Sequence, residues 1–261
     1  MSTGYEAAIL DLDGTVYLGD ELIPGADDGI ATLRDQGLDV LFVTNKAIER
    51  RRDYSEKLEK LGVPASRDDV LNSGWVTARY AADRHQDRRA LVIGEEPLVD
   101  ELEATGLEVV REGPGELLVV SMDRGFTYEK LHDALRTLRD GDAPFLATNP
   151  DRTCPMEGGA IPDAAGMIGA VEGVSGRTVD AMLGKPSTTM VETALGELGV
   201  DPSDCLMVGD RLETDIEMGD RAGMTTVLVL SGITDRSMLD DRDVTPDHVL
   251  ESIADIEDVL E

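Results

Sequence analysis

Short apolar runs rich in Val, Ile, Leu and Ala alternate along this chain with amphipathic segments of about ten to fifteen residues. "AAIL" (Ala7 to Leu10) precedes an amphipathic stretch from Gly25 to Gln36, and "DVLFV" (Asp39 to Val43) precedes one from Glu49 to Leu61. "CLMV" (Cys205 to Val208) is followed by a segment from Glu213 to Ala222, and "TTVLVL" closes the series at Leu230. Runs this short and uniformly apolar read as strands buried on both faces, and their alternation with helices predicts a parallel sheet covered on both sides. The predicted fold class is α/β, with a doubly wound parallel-sheet core.

From about Val76 to Asp180 the alternation continues with its own strands, "ALVIG", "ELLVVS" and "PFLAT", and its own helices over Glu95 to Thr105, Thr127 to Arg139 and Asp163 to Val174. The block has roughly the size of a domain. Residues 77–180 are therefore expected to form an inserted α/β domain, with 1–76 and 181–261 together making the core. A chain of 261 residues is long enough for one large domain or two smaller ones.

Three core strands end on a polar residue suited to chemistry: Asp11 after "AAIL", Thr44 after "DVLFV" and Asp210 after "CLMVG". In an open parallel sheet, ligands bind in the crevice at the carboxyl ends of the strands, so these residues should converge. Asp13 follows Asp11 by two positions, and side chains two apart in a strand share a direction. Two carboxylates aimed at one spot repel each other unless a cation sits between them. "LGKPS" adds Lys185 just before a helix predicted from Ser187. Mg²⁺ suits three hard oxygen ligands, Lys185 supplies a point charge, and phosphate is the anion this combination fits best.

Each signal has a bland counterpart. A lone DxD usually marks a turn, and a lone lysine is usually solvated. "LGKPS" is not a Walker loop, because Val179 stands where the first glycine belongs and Pro186 follows the lysine. Asp11 and Asp13 do not open an EF-hand, since Gly14 comes too early and no glutamate closes the loop. The conjunction of the signals, in this order, carries the weight.

Composition narrows the partners. The chain holds 24 Lys plus Arg against 54 Asp plus Glu, a net charge of −30, and such a surface repels nucleic acid and anionic membranes. The acid clusters Asp27-Asp28, Asp68-Asp69 and Asp240-Asp241-Asp243 lack ligand spacing and read as solvated surface. With only 5 Lys against 19 Arg and 3% aromatics, that surface is expected of an extreme halophile. Cys154 and Cys205 form no CxxC pattern and read as reduced, mostly buried thiols, while His85, His132 and His248 are scattered and read as ordinary surface residues. No run approaches the roughly eighteen apolar residues of a membrane span, and the first residues lack a signal-peptide pattern, so a cytoplasmic location is expected.

"DLDGT" (Asp11 to Thr15), "FVTN" (Phe42 to Asn45), "GKPS" (Gly184 to Ser187) and "GDRLETDI" (Gly209 to Ile216) resemble the four ordered motifs of the haloacid dehalogenase superfamily. The insertion between the second and third motifs, with "DRGFTYEKL" and "FLATNPD", is similar to the para-nitrophenyl phosphatase-like and nucleotidase-like subgroup that carries a large α/β cap. The resemblance covers essentially the whole chain. It implies that Asp11 is the nucleophile and forms an aspartyl-phosphate, and that Asp13 protonates the leaving group, then activates water, and offers its backbone carbonyl to Mg²⁺. Thr44, the amide of Asn45 and Lys185 would hold phosphate oxygens, Asp210 would be a direct or water-linked metal ligand, and Asp215 would orient that end of the site. Relatives often continue the second motif with Asn or Ser where this chain has Lys46, which reads either as a solvated lysine or as an extra contact to an anionic substrate.

A Mg²⁺-dependent phosphatase for small phosphomonoesters follows, with sugar phosphates, glycerol phosphate, phosphoglycolate and nucleoside monophosphates as candidate substrates. Asp13 argues against dehalogenation, and the placement of the insert argues against a phosphomutase. A non-catalytic phospholigand-binding or regulatory protein on the same fold is the alternative, although the nucleophile, the lysine and the metal aspartate are all kept. The resemblance also allows a homodimer through the cap.

Overall fold

The structure is a computed structural model that describes residues 4–139, 141–156, 159–239 and 244–260; the acid cluster at Asp240, Asp241 and Asp243 lies outside the described residues. Two compact units are present. Met1–Thr44, Arg51–Leu71 and Lys185–Glu261 form the first, and Asn45–Arg50 with Asn72–Gly184 form the second.

The chain starts with β1 (Ala7–Leu10), a hairpin of β2 (Tyr17–Leu18) and β3 (Glu21–Leu22), α1 (Ala26–Asp35), β4 (Asp39–Thr44), α2 (Arg51–Lys60) and β5 (Val70–Asn72). It continues through α3 (Ser73–His85), β6 (Ala90–Ile93), α4 (Glu96–Ala104), β7 (Val109–Val110), β8 (Leu117–Val120), α5 (Tyr128–Leu138), β9 (Phe145–Ala147), β10 (Thr153–Met156), β11 (Gly159–Pro162), α6 (Ala164–Ser175) and β12 (Ala181–Met182). It closes with α7 (Thr188–Leu198), β13 (Cys205–Gly209), α8 (Glu217–Ala222), β14 (Thr225–Val229), β15 (His248–Leu250) and α9 (Glu257–Leu260).

In the first unit the strands are ordered β15-β14-β13-β1-β4-β5. β1 runs parallel to both of its neighbours, with Leu10 opposite Val208 of β13 and Phe42 of β4. Register of this kind brings the residues that follow the three strands to one edge of the sheet. All four residues of β1 are buried, as expected of a strand covered on both faces. Leu10, Phe42, Val208, Ile30, Leu33, Tyr54 and Leu58 belong to one continuous core. The Asp27-Asp28 pair lies exposed in the first turn of α1, where negative charge complements the helix dipole. Asp69 accepts the Ser66 backbone N–H (2.7 Å) in a capping box, so the second acid pair also belongs to local structure.

The second unit holds a separate five-stranded parallel sheet, ordered β12-β9-β8-β6-β7, with a core that includes Ile93, Val120, Phe145, Leu138 and Ile168. Its helix α3 has no counterpart among the predicted elements. Asn72 caps it by accepting the Trp75 backbone N–H (2.8 Å), but its buried face is built of Gly74, Val76, Thr77, Ala78 and Ala81. Small residues let the helix pack closely while hiding its apolar stripe from the sequence pattern. The hairpins β2/β3 and β10/β11 likewise have no counterpart among the predicted elements.

Candidate active site

β1 delivers Asp11, whose backbone N–H donates to the Val208 carbonyl (2.9 Å) and so extends the parallel ladder by one rung. Lys185, immediately before α7, is 2% exposed and places its Nζ 2.5 Å from Asp11 Oδ1, 2.7 Å from Asp215 Oδ1 and 3.2 Å from the carbonyl of Val43. Thr44 follows Val43 and is buried at the end of β4. Oxygens of Asp11, Asp210 and Asp215 all lie within 4.8 Å of one another. Asp13 is half-buried in the next turn, where its backbone bridges to Tyr17 and the Gly14 N–H donates to the Tyr17 carbonyl (2.8 Å).

Asp215 reaches the cluster because the chain after β13 makes one wide turn, Leu212–Ile216, in which the Ile216 N–H bonds back to the carbonyl of Arg211 (3.2 Å). Such π-type turns recur at functional sites. The Arg211 backbone N–H donates to Asp215 Oδ2 (3.1 Å) and fixes the carboxylate. The predicted helix from Glu213 thus becomes a regular helix only at Glu217.

Three buried carboxylates against one ammonium leave the cluster with excess negative charge. Burial, reinforced by Asp215 and Asp210 and opposed by Lys185, holds the Asp11 carboxyl well above its usual range. Burial and then repulsion from Asp215 raise Asp210 to about 7. Burial works against the charged form of Lys185, yet the attraction of Asp11 and Asp215 outweighs it and leaves the ammonium more basic than an ordinary lysine. Among the described residues, Asp210 Oδ1 is buried without a hydrogen-bond partner. A hard divalent cation fits this donor set, since it would satisfy that oxygen and offset the charge that otherwise recruits protons.

A loop not singled out in the sequence completes the cradle. The Ile233 backbone N–H donates to Asp210 Oδ2 (2.7 Å), the Thr234 N–H to the Asp210 carbonyl (3.2 Å), and Ser231 Oγ to the Gly14 carbonyl (2.7 Å). A Cβ at Gly14 or Gly232 would lie under 3.0 Å from the Asp210 carboxylate, and one at Gly209 would meet Asp215. The glycines make room for carboxylates. Nothing but Ser231–Thr234 itself, a short uncharged stretch after β14, could have signalled the loop.

Asn45 and Lys46, the residues after Thr44, group with the second unit. The Asn45 carbonyl accepts from Ser73 Oγ (2.5 Å), and a Cβ at Gly184 would collide with the Asn45 side chain and the Thr148 carbonyl. Lys46 acts on Asp163, whose pKa burial raises and whose carboxylate the lysine favours. Asp163 also caps α6 and accepts from Asn149 Nδ2 (3.4 Å). Cys154 and Cys205 are buried free thiols, as expected.

A family model described as haloacid dehalogenase-like hydrolase matches residues 8–108, and a second haloacid dehalogenase hydrolase-like model matches residues 182–256. The chain belongs to the haloacid dehalogenase-like hydrolases. It is 37% identical over 254 residues to the sugar-phosphatase AraL of Bacillus subtilis, covering 97% of this chain and 92% of that protein. It is also 37% identical over 251 residues to the 5'-nucleotidase YutF of the same organism, covering 96% of this chain and 97% of the relative. The crystal structure of a 4-nitrophenylphosphatase from Thermotoga maritima superposes with a TM-score of 0.93 at 35% identity, over 99% of this chain and 98% of that one. This haloacid dehalogenase-like hydrolase thus has the expected α/β fold. Its relatives carry the names of phosphoric monoester hydrolases, the expected enzyme class.

Proposed function

We propose that the protein is a Mg²⁺-dependent phosphatase that hydrolyses small phosphomonoesters through an aspartyl-phosphate at Asp11. The observation that carries this reading is the buried convergence of Asp11, Asp210 and Asp215 on Lys185. The relatives named as sugar phosphatase, nucleotidase and nitrophenylphosphatase support it.

In the first displacement the Asp11 carboxylate attacks phosphorus, the bond to the ester oxygen breaks, and Asp13 delivers a proton to the departing alkoxide. In the second, Asp13 takes a proton from water, which attacks the same phosphorus and releases Asp11 and inorganic phosphate. Thr44, the Asn45 amide and Lys185 hold the phosphoryl oxygens through both steps. Asp11, Asp210 and the backbone carbonyl of Asp13 would hold the Mg²⁺, with Asp215 orienting Lys185 and that end of the site. The ion supplies positive charge for the phosphoryl group when bound.

The second unit, inserted in the chain between Thr44 and Lys185, is assigned as the cap, 77–180 at its core, with specificity among sugar phosphates, glycerol phosphate, phosphoglycolate and nucleoside monophosphates residing there. A cytoplasmic, salt-adapted enzyme, dimeric through the cap, completes the proposal. Turnover of para-nitrophenyl phosphate and of a panel of these phosphomonoesters in molar KCl tests it. Hydrolysis that requires added Mg²⁺ is expected; full turnover in chelator, or phosphoester binding with no turnover, would refute it.

A further inference from the structure

Lys57 is one of the five lysines of the chain, and it contacts the hairpin that follows the "DLDGT" loop. Lys57 projects from α2 onto the β2/β3 hairpin, which is the direct continuation of that loop. Its Nζ donates to the carbonyl of Gly19 at the hairpin turn (2.5 Å), lies 3.9 Å from the centroid of the Tyr17 ring, and stands 3.6 Å from Asp20 Oδ1. A carbonyl, a ring face and a carboxylate thus surround one ammonium, which has three protons to offer. The side chain is 26% exposed, so its stem lies on protein and only part of its head meets solvent.

Tyr17 connects this grip to Asp13. Its ring is buried, its backbone N–H donates to the Leu12 carbonyl (3.2 Å), and its carbonyl receives the Gly14 N–H (2.8 Å). Asp13 itself bridges to Tyr17 through the backbone. The turn holding Asp13 is therefore closed by Tyr17, and Tyr17 is held from outside by Lys57. α2 lies a few residues beyond Thr44 in the chain, so the lysine ties together the segments that follow two of the three site-bearing strands. The hairpin has only two residues per strand, and a two-stranded ribbon of that size has little stability of its own.

We infer that Lys57 is a positioning residue for proton transfer: it latches the β2/β3 hairpin to α2 and thereby keeps Asp13 in line with the departing oxygen. The inference rests on the assignment of Asp13 as general acid. Neither the carbonyl bond nor the ring contact depends on long-range charge, so the latch survives concentrated salt in which the Asp20 pairing is screened. Displacing a reacting group by about an ångström costs up to roughly 10²-fold. Loss of the latch should be felt where the proton matters, with an alkyl phosphate, and much less with para-nitrophenyl phosphate, whose leaving group hardly needs one.

The test compares kcat/KM for an alkyl phosphate and for para-nitrophenyl phosphate, because this constant reports the steps up to release of the first product. The enzymes are wild type, Lys57→Met, Lys57→Gln, Lys57→Arg and Asp13→Asn, all in molar KCl with Mg²⁺. Lys57→Met should lower the alkyl-to-nitrophenyl ratio by about tenfold, a part of the roughly 10²-fold to 10⁴-fold available from general acid catalysis. Lys57→Gln, which keeps a donor for Gly19 but loses the charge, should fall between Met and wild type and serves if the Met variant does not fold. Lys57→Arg should restore the ratio, since a guanidinium can both stack on Tyr17 and donate to the carbonyl. A purely structural role would lower both constants together. An unchanged ratio in Lys57→Met and Lys57→Gln, with Asp13→Asn showing the leaving-group dependence, overturns the latch alone. An unchanged ratio in Asp13→Asn overturns the acid assignment and the latch with it.

Discussion

Replacing Lys185 by Met should unbalance the site in a way that pH reveals. The ammonium is 2% exposed and sits between Asp11 and Asp215, whose side chains are 11% and 1% exposed. Removing one partner from a buried ion pair costs roughly 3 to 5 kcal/mol, because the remaining charge is left in a poorly polarisable interior. Here two carboxylates lose their cation at once, so the upper part of that range is expected near pH 8 in metal-free protein. The sign of the pH dependence follows from Asp11. Its folded pKa is raised by burial and by its acidic neighbours, so the ionised form costs stability above that pKa and the cost is relieved as pH falls through it. Without Lys185 the pKa rises further and relief starts at higher pH. Lys185 itself, more basic in the fold, contributes its full stabilisation below the ordinary lysine value of about 10.4 and is lost only above it, so it adds no slope between about pH 5 and 8. The deficit of Lys185→Met, measured by urea unfolding in chelator and molar KCl, should therefore shrink as pH falls from about 8 to about 5. A deficit below about 1 kcal/mol, or one independent of pH, would refute the charge balance described for this cluster.

Three further outcomes are expected. Asp210→Asn should keep the fold and raise the Mg²⁺ concentration needed for half-maximal turnover, because Asp210 Oδ1 is buried with no hydrogen-bond partner among the described residues; an unchanged metal dependence would remove Asp210 from the ligand set. With Asp210 raised to about 7, Mg²⁺ must displace a proton near neutral pH, so titration calorimetry in buffers of different ionisation enthalpy should show proton release and weaker binding at lower pH; identical heats in all buffers would contradict this. The urea midpoint should rise between 0.1 M and molar KCl, since the Debye length falls from roughly 10 Å to roughly 3 Å and a surface at −30 repels itself less; equal midpoints would count against salt adaptation.

The legible parts of this protein are those in which chemistry and packing coincide. "AAIL", "DVLFV" and "CLMVG" are uninterrupted apolar runs because both faces of the sheet are covered, and the polar residue that ends each run marks the sheet edge. Asp11, Thr44 and Asp210 follow those runs directly, so the apolar pattern alone assigns them to that edge. Lys185 was visible only through its neighbours in "LGKPS", and Asp215 only through resemblance, because a π-type turn rather than a helical period directs it inward. The loop Ser231–Thr234 was not legible, since backbone N–H groups of Ile233 and Thr234 hold Asp210, and only the Ser231 hydroxyl and the bare Cα of Gly232 tie it to particular residue types. α3 was hidden by a buried face of Gly, Ala and Thr, and Lys57 by the ordinary expectation that a helical lysine is solvated.

The central claim is that Asp11 becomes covalently phosphorylated during turnover. Acid quench of the Mg²⁺-loaded enzyme during turnover of para-nitrophenyl phosphate, followed by reduction with borohydride and mass analysis of peptides, reads that directly, because an acyl phosphate is reduced while a free carboxylate is not. The account predicts a single reduced side chain, at Asp11, appearing only with substrate and absent from Asp11→Asn. Turnover without any trapped Asp11, or label on another residue of the cluster, would contradict it.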